Sequence, residues 1–172
     1  FIGPYAKNVE FSNNTLHQNQ GLFAGGIRLG VGNYRGAIDG DDSVPGIVSS
    51  ENENAEIHHN HIYMNGGTLG VSRGAGGIAV FMGADDYSIR DNYICGNFSG
   101  KDGAGIGHFG LSEGGVIKNN VILFNEAWNG TTSGSGGGIF ITGDADPVAG
   151  DTDGPDDAEY EVTTPEEMPL TA

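Results

Sequence analysis

The sequence predicts an all-β solenoid of about four stacked coils, and three observations lead to this fold class. An eleven-residue segment occurs four times, a short glycine-led apolar segment follows each copy, and 32 of the 172 residues are glycine. The equivalent asparagines of successive copies are 46, 32 and 28 residues apart. Repeats in this length range are typical of solenoids, because one unit cannot bury its apolar face without stacking on a neighbour.

The four copies share four positions. They are VEFSNNTLHQN (9–19), AEIHHNHIYMN (55–65), YSIRDNYICGN (87–97) and GVIKNNVILFN (115–125). The third and eighth positions are apolar, and the sixth and eleventh positions are asparagine in every copy. An inward asparagine at a bend can donate to the amide of one neighbouring coil and accept from the other. We therefore predict a structural ladder from the sixth position, made of Asn14, Asn60, Asn92 and Asn120.

The glycine-led segments predict another strand in each coil. They are GGIRLG (25–30), GGIAVF (76–81), AGIGHF (104–109) and GGIFIT (137–142). Their apolar residues alternate with period two, which is typical of a strand with one buried face. Each unit then contains three strands, and stacking pairs each strand in parallel with its equivalent in the next coil.

The charge balance excludes two classes of partner. The chain has 23 acidic and 7 basic residues, giving a net charge of −16. Binding to nucleic acid or to an anionic membrane surface requires clusters of Lys and Arg. No apolar run approaches the roughly 18 residues that a membrane span needs. We expect no nucleic-acid partner and no membrane insertion.

The Asn-x-Ile-x-x-Asn coils with Gly-Gly-Ile strands, over about residues 8–142, resemble the right-handed parallel β-helix repeats of the pectate-lyase-like superfamily. That group includes pectate lyases, polygalacturonases, alginate epimerases and lyases, phage tailspikes, and copper-site maturation proteins of the NosD type. The resemblance implies a right-handed parallel β-helix in an extracellular, cell-surface or periplasmic protein, with a polysaccharide as partner. One fold supports many activities, so the resemblance does not fix the function.

The chain divides into two parts. Residues 1–142 hold the predicted β-helix, and residues 143–172 form an acidic, proline-containing linker or tail without Lys or Arg. The start at Phe1 favours a fragment of a longer helix, with the continuation of the same chain as neighbour. Three long loops, 30–54, 66–75 and 126–136, interrupt the repeats.

The outer face of the glycine-led strands offers the first candidate site residues. Phe81 and Phe109 fall on this face, where either a loop covers them or they form a platform for a sugar ring or a partner. Arg28 is its one outward basic residue. His108 falls in an inward register as a hydrogen-bonded core histidine, unless a bulge turns it outward. Arg28 and His108 are the catalytic candidates.

Two groups suggest metal binding. Asp39, Asp41 and Asp42 supply closely spaced carboxylates of the kind that calcium prefers. His58, His59 and His61 could bind zinc or copper, although a dedicated site needs further ligands. No cofactor is certain.

Three functions remain open. The first is a non-catalytic repeat scaffold of a secreted or cell-surface protein that contacts carbohydrate. The second is a polysaccharide lyase, hydrolase or epimerase with a site built from loops 30–54 and 126–136. The third is a metal-delivery helper. Because glycoside hydrolysis generally requires two carboxylates across the bond and the face shows no such pair, we favour the first.

Overall fold

The computed structural model describes residues 1–30, 35–38, 41–47, 50–67, 74–110, 112–128 and 134–142. Within these ranges the chain forms strands, turns and bends, and no helix. Short strands pair in parallel with the equivalent strand of the next coil. This architecture is the predicted all-β solenoid, a parallel β-helix of four coils. The predicted tail, residues 143–172, lies outside the described residues.

Four parallel sheets run along the stack, and each takes one strand from every coil. The first sheet contains β1 (Glu10–Ser12), β8 (Glu56–His58), β13 (Ser88–Arg90) and β17 (Val116–Lys118). The second contains β2 (Thr15–His17), β9 (His61–Tyr63), β14 (Tyr93–Cys95) and β18 (Val121–Leu123). The third contains β3 (Gln20–Gly21), β10 (Gly66–Gly67), β15 (Phe98–Ser99) and β19 (Glu126–Ala127). The fourth contains β4 (Ile27–Leu29), β11 (Ile78–Phe81), β16 (Ile106–Phe109) and β20 (Ile139–Thr142).

Two smaller pairings add to the stack. Strands β7 (Asn52–Glu53) and β12 (Ala84–Asp85) pair in parallel. Strands β5 (Arg35–Ile38) and β6 (Asp41–Ile47) form an antiparallel hairpin within the predicted loop 30–54. Near the N-terminus, Ile2 pairs in parallel with Leu29 and Lys7 pairs with Glu53.

Each coil has one strand more than the three that the sequence predicts. The additional strands form the third sheet and begin directly after the eleventh-position asparagine of each copy. They are two residues long, so they carry no alternation of apolar and polar side chains. A pattern of period two cannot reveal a strand of this length.

The register agrees with the alignment of the repeats. In the first sheet, Ile57 pairs with Phe11 on one side and with Ile89 on the other, and Ile89 pairs with Ile117. The inward residues Ile57 and Ile89 of the middle coils are fully buried, while Phe11 and Ile117 of the end coils are partly buried. The core is therefore a continuous apolar column along the axis of the stack.

The predicted asparagine ladder is present at the sixth position. The Nδ2 atom of Asn14 donates to Oδ1 of Asn60 at 3.2 Å, Asn60 donates to Asn92 at 3.0 Å, and Asn92 donates to Asn120 at 2.9 Å. Each of these Oδ1 atoms also accepts a hydrogen bond from the backbone N–H of the same asparagine in the preceding coil that donates through Nδ2. The hydrogen bonds between ladder side chains all run toward the C-terminal coil, while Nδ2 of Asn60 and Asn92 also donates to a backbone carbonyl of the preceding coil. The side-chain ladder therefore has a direction.

A second ladder occupies the eleventh position. It joins Asn19, Asn65, Asn97 and Asn125 through side-chain hydrogen bonds of 3.0, 3.0 and 2.9 Å. Both ladders follow a residue in the left-handed backbone region. Positive φ angles of 54° to 61° occur immediately before every ladder asparagine, as at His59 and Asp91. Such angles are costly for His59, Met64 and Phe124 but are tolerated by Asn, Asp and Gly. The ladder hydrogen bonds thus stabilise a bend that part of the copies would otherwise disfavour.

The glycine before each isoleucine of the fourth sheet permits close stacking of the coils. A Cβ atom on Gly77 would meet the carbonyl oxygen of Gly105 in the next coil and the Cγ2 atom of Ile94. A Cβ on Gly105 would meet the carbonyl oxygen of Gly138 in the same way. The repeated glycine is thus required by the contact between backbones.

Candidate functional site

The outer face of the fourth sheet is covered. Phe81 and Phe109 are 3% and 2% exposed, and their rings stack with centroids 5.4 Å apart. Phe23 packs edge-on against Phe81, and these rings form a second apolar cluster together with Ala75 and Phe140. Of the two alternatives, the structure therefore shows the covered pair. These rings are not available to solvent, so they do not form the predicted platform.

Arg28 lies on the same outer face and contacts rings. Its Cζ atom is 3.8 Å from the ring centroid of Phe1 and 5.4 Å from that of Phe23. Its Nε atom is buried without a hydrogen-bond partner, and burial lowers the pKa of its guanidinium. Among the described residues, no carboxylate forms an ion pair with Arg28. This arrangement is a cation–π contact that packs the N-terminal segment onto the sheet.

His108 lies on the opposite, inward face, as its register predicts. It is 0% exposed, its Nδ1 atom is 2.7 Å from the hydroxyl of Tyr87, and its Nε2 atom is 2.9 Å from the carbonyl oxygen of Gly110. A carbonyl can only accept, so Nε2 carries the proton and Nδ1 accepts from Tyr87. Burial lowers the pKa of His108 and raises that of Tyr87. The two catalytic candidates thus lie on opposite faces of one sheet and do not share a cleft.

The predicted metal groups do not form a site in the described residues. Ring nitrogens of His58 contact Nδ1 of His59 at 2.8 Å and Oε1 of Glu10 at 3.1 Å, while His61 contacts tyrosine rings. The described part of the chain contains no group of three or more His, Cys, Asp or Glu side chains placed to hold a metal ion. The side chains of the calcium candidates Asp39, Asp41 and Asp42 lie outside the described residues.

The second sheet carries a group of outward rings, of which the sequence analysis singled out only His61, as a metal-binding candidate. His17 and Tyr63 are stacked, with centroids 5.0 Å apart and planes 11° apart. His61 packs against Tyr63 at 4.5 Å and meets the ring of Tyr93 at 4.8 Å and 86°. Tyr93 is 39% exposed, and both histidines are exposed. We call these four side chains, His17, His61, Tyr63 and Tyr93, the ring face.

A shallow groove of about 490 Å³ borders the ring face at the bend between the first and second sheets. It crosses three coils, because each contributes residues around its sixth-position asparagine. The lining residues are Asn13, Asn14, Thr15, His59, Asn60, His61, Asp91 and Tyr93. We call this feature the bend groove. His61 and Tyr93 belong to both features, so the groove and the ring face form one continuous surface.

Polar atoms of this surface are free to bind a ligand. Within the described residues, no hydrogen bond engages the ring nitrogens of His17 and His61 or the hydroxyl of Tyr63. The side chain of Cys95 beside it raises the pKa of the Tyr93 hydroxyl. The surface combines aromatic rings with unused donors and acceptors, as ligand sites commonly do.

The charged side chains beside the groove are engaged with one another. Arg90 binds Oε2 of Glu56 at 3.0 Å and Oδ2 of Asp91 at 3.4 Å. The hydrogen bond to Glu56, with a smaller one to Asp91, raises the pKa of Arg90. Glu10 contacts His58 on the same sheet. This edge of the groove is a network of ion pairs in which no arginine is left free for a ligand.

The repeat alignment does contain the signal for the ring face. Its residues come from the seventh and ninth positions, the outward positions of the second strand. The seventh position holds Thr15, His61, Tyr93 and Val121, and the ninth holds His17, Tyr63, Cys95 and Leu123. The sequence analysis placed the candidate site on the glycine-led strands, so it did not compare these outward positions across the copies.

Comparison with protein-family models, curated proteins and solved structures finds no match for this chain. Among the described residues, no helix has the length and apolar character needed to cross a membrane. The fold class therefore rests on the structure itself, and the function must be argued from the surface.

Proposed function

We propose that this chain is a non-catalytic β-helix scaffold that contacts carbohydrate through the ring face and the bend groove. The observation that carries the proposal is the continuous exposed surface in which His17, His61, Tyr63 and Tyr93 adjoin a polar groove across three coils. A secreted or cell-surface location belongs to the same proposal.

The chemistry of the surface suits a sugar. The C–H groups of a pyranose pack on an aromatic ring, and its hydroxyls exchange hydrogen bonds with imidazole, amide and phenol groups. Tyr93 offers a ring whose plane is perpendicular to that of His61. Asn13, Thr15 and His59 line the groove with donors and acceptors. An extended glycan that follows the groove contacts successive coils, which are about 4.8 Å apart.

The proposal favours binding over catalysis because the two candidate catalytic side chains are separated. His108 is enclosed in the core and Arg28 is stacked on rings, so neither reaches a ligand in the groove. A scaffold needs only a preformed surface, and the ladder hydrogen bonds join the three coils that carry it.

Affinity electrophoresis in gels that contain soluble polysaccharides tests the proposal, with isothermal titration on oligosaccharides as the second measurement. The Tyr93→Ala variant should bind about five- to tenfold more weakly, because an aromatic contact contributes on the order of 1 kcal/mol. Tyr5→Ala is the matched control, since Tyr5 is also exposed (64%) but lies outside the groove. Its affinity should equal that of the parent chain.

Two outcomes would overturn parts of the proposal. Equal retardation of Tyr93→Ala and the parent chain, or no retardation in any polysaccharide, would exclude this surface as a carbohydrate site. Release of new reducing or unsaturated ends during incubation would show catalysis and refute the non-catalytic role.

A further inference from the structure

We propose that the ring face and the bend groove select an uncharged glycan and reject a polyuronate of the same length. This inference rests on the proposed function and adds the substrate class. It follows from the placement of charge around the surface.

The outward side chains of the second sheet include no Asp, Glu, Lys or Arg. They are Thr15, His17, His61, Tyr63, Tyr93, Cys95, Val121 and Leu123. This set offers rings, hydroxyls, imidazoles and apolar groups. Such groups recognise hydroxyls and C–H surfaces, but they provide no fixed positive charge for a carboxylate.

A sugar carboxylate is recognised best by a free arginine, whose planar group donates two parallel hydrogen bonds. Arg90, which lies beside Asp91 of the groove, already binds Glu56 and Asp91. Lys118 occupies the same position of the repeat in the last coil, one coil beyond the residues that line the groove. Among the described residues, the groove lining therefore includes no Lys or Arg that could pair with a uronate.

Negative charge lies in and beside the groove. Asp91 lines it, and Glu10 and Glu56 are exposed on the adjoining first sheet. The whole chain carries a net charge of −16. A polyuronate that approaches this surface meets repulsion from near carboxylates and from the general field, whereas a neutral glycan meets neither.

The test compares matched oligosaccharides by isothermal titration on the full chain. The neutral probes are hexasaccharides of β-1,4-linked glucose and mannose, and the charged probes are hexasaccharides of galacturonate and mannuronate. At about 20 mM salt, the neutral probe that binds best should bind at least tenfold more tightly than either uronate. At about 0.5 M salt the difference should shrink, because the Debye length falls to a few ångströms.

Asp91→Asn tests the electrostatic cause. Asparagine occupies the equivalent repeat position at Asn13 and Asn119, with φ angles of 58° and 54° against 54° at Asp91. The substitution therefore keeps the bend while removing one negative charge and freeing part of Arg90. The ratio of uronate affinity to neutral affinity should rise about three- to tenfold at low salt.

The results separate the two proposals. Uronate binding that equals or exceeds neutral binding at low salt overturns the selectivity and leaves carbohydrate binding intact. An unchanged affinity ratio in Asp91→Asn overturns the electrostatic explanation. If no hexasaccharide binds, the proposed function itself fails.

Discussion

The direction of the asparagine ladder predicts that equivalent asparagines stabilise the protein unequally. Asn92 accepts hydrogen bonds from the backbone N–H and from Nδ2 of Asn60, both at 3.0 Å. Among the described residues, no ladder asparagine donates a hydrogen bond to the side chain of Asn14. Replacement of Asn92 by Ala therefore removes the Oδ1 atom that accepts two hydrogen bonds from Asn60. Replacement of Asn14 by Ala removes no such acceptor.

The magnitude follows from the groups that each substitution leaves unpaired. Asn92→Ala leaves two hydrogen-bond donors of Asn60 without their acceptor, and Asn60 is only 2% exposed. A buried unpaired donor costs about 1–3 kcal/mol, so the unfolding free energy should fall by about 2–6 kcal/mol. In Asn14→Ala, Oδ1 of Asn60 still accepts the backbone N–H of residue 14. That variant loses side-chain bonds at a partly exposed end and should cost about 1 kcal/mol.

Urea unfolding, followed by far-ultraviolet circular dichroism, measures both variants against the parent chain. Comparable slopes with urea concentration are needed for the free energies to be compared. Both asparagines follow a residue of positive φ, namely Asn13 and Asp91, so an effect of bend conformation alone would be equal in the two variants. Equal destabilisation would therefore refute the ladder as the source of the difference.

Three further predictions concern the core and the covered face. Burial lowers the pKa of His108, so the unfolded chain takes up the proton first as the pH falls below about 6.5. The unfolding free energy should then drop by up to about 1.4 kcal/mol per pH unit until the pKa of His108 in the folded chain is reached. Urea titrations at several pH values should show that His108→Val lacks this pH-dependent loss of stability. Phe109→Ala should cost about 3–5 kcal/mol in the same assay, since the ring is buried, while glycan affinity stays unchanged because Phe109 lies on another sheet. Gly77→Ala should lower stability by about 1–3 kcal/mol in thermal melts, since its Cβ meets the carbonyl of Gly105; an unchanged melting temperature would contradict the close backbone contact.

The parts of the fold that the sequence predicts are those that repeat in register. An inward side chain meets its own equivalent above and below, so the alignment of Ile57 with Ile89 is also their contact. The same logic predicted the sixth-position ladder from the spacing of its asparagines. It could not predict which outer faces are covered. Phe81 and Phe109 pack with Phe23 and Ala75, which precede the glycine-led strands and lie outside the positions that the sequence alignment compared.

Two residues depart from the repeat pattern of the core, and each supplies the hydrogen-bond partner that the other needs. Tyr87 stands at the first position of its copy, where the others have Val9, Ala55 and Gly115. His108 stands where the neighbouring strands have Val80 and Ile141.

Each departure alone would place a polar group in the apolar column, at a cost of about 1–3 kcal/mol. Together they share a hydrogen bond of 2.7 Å, and Gly115 makes room, since a Cβ there would meet the ring of Tyr87. Tyr87 and His108 belong to the same coil, so residues that break the repeat within one coil are candidates for contact with one another. The outward rings of the second sheet break the repeat as well, and they also adjoin one another: His17 on Tyr63, and His61 against Tyr63 and Tyr93. The polar pair in the core is explained by its own hydrogen bond. The exposed rings have no such internal explanation, and this difference supports the proposal that they bind a ligand.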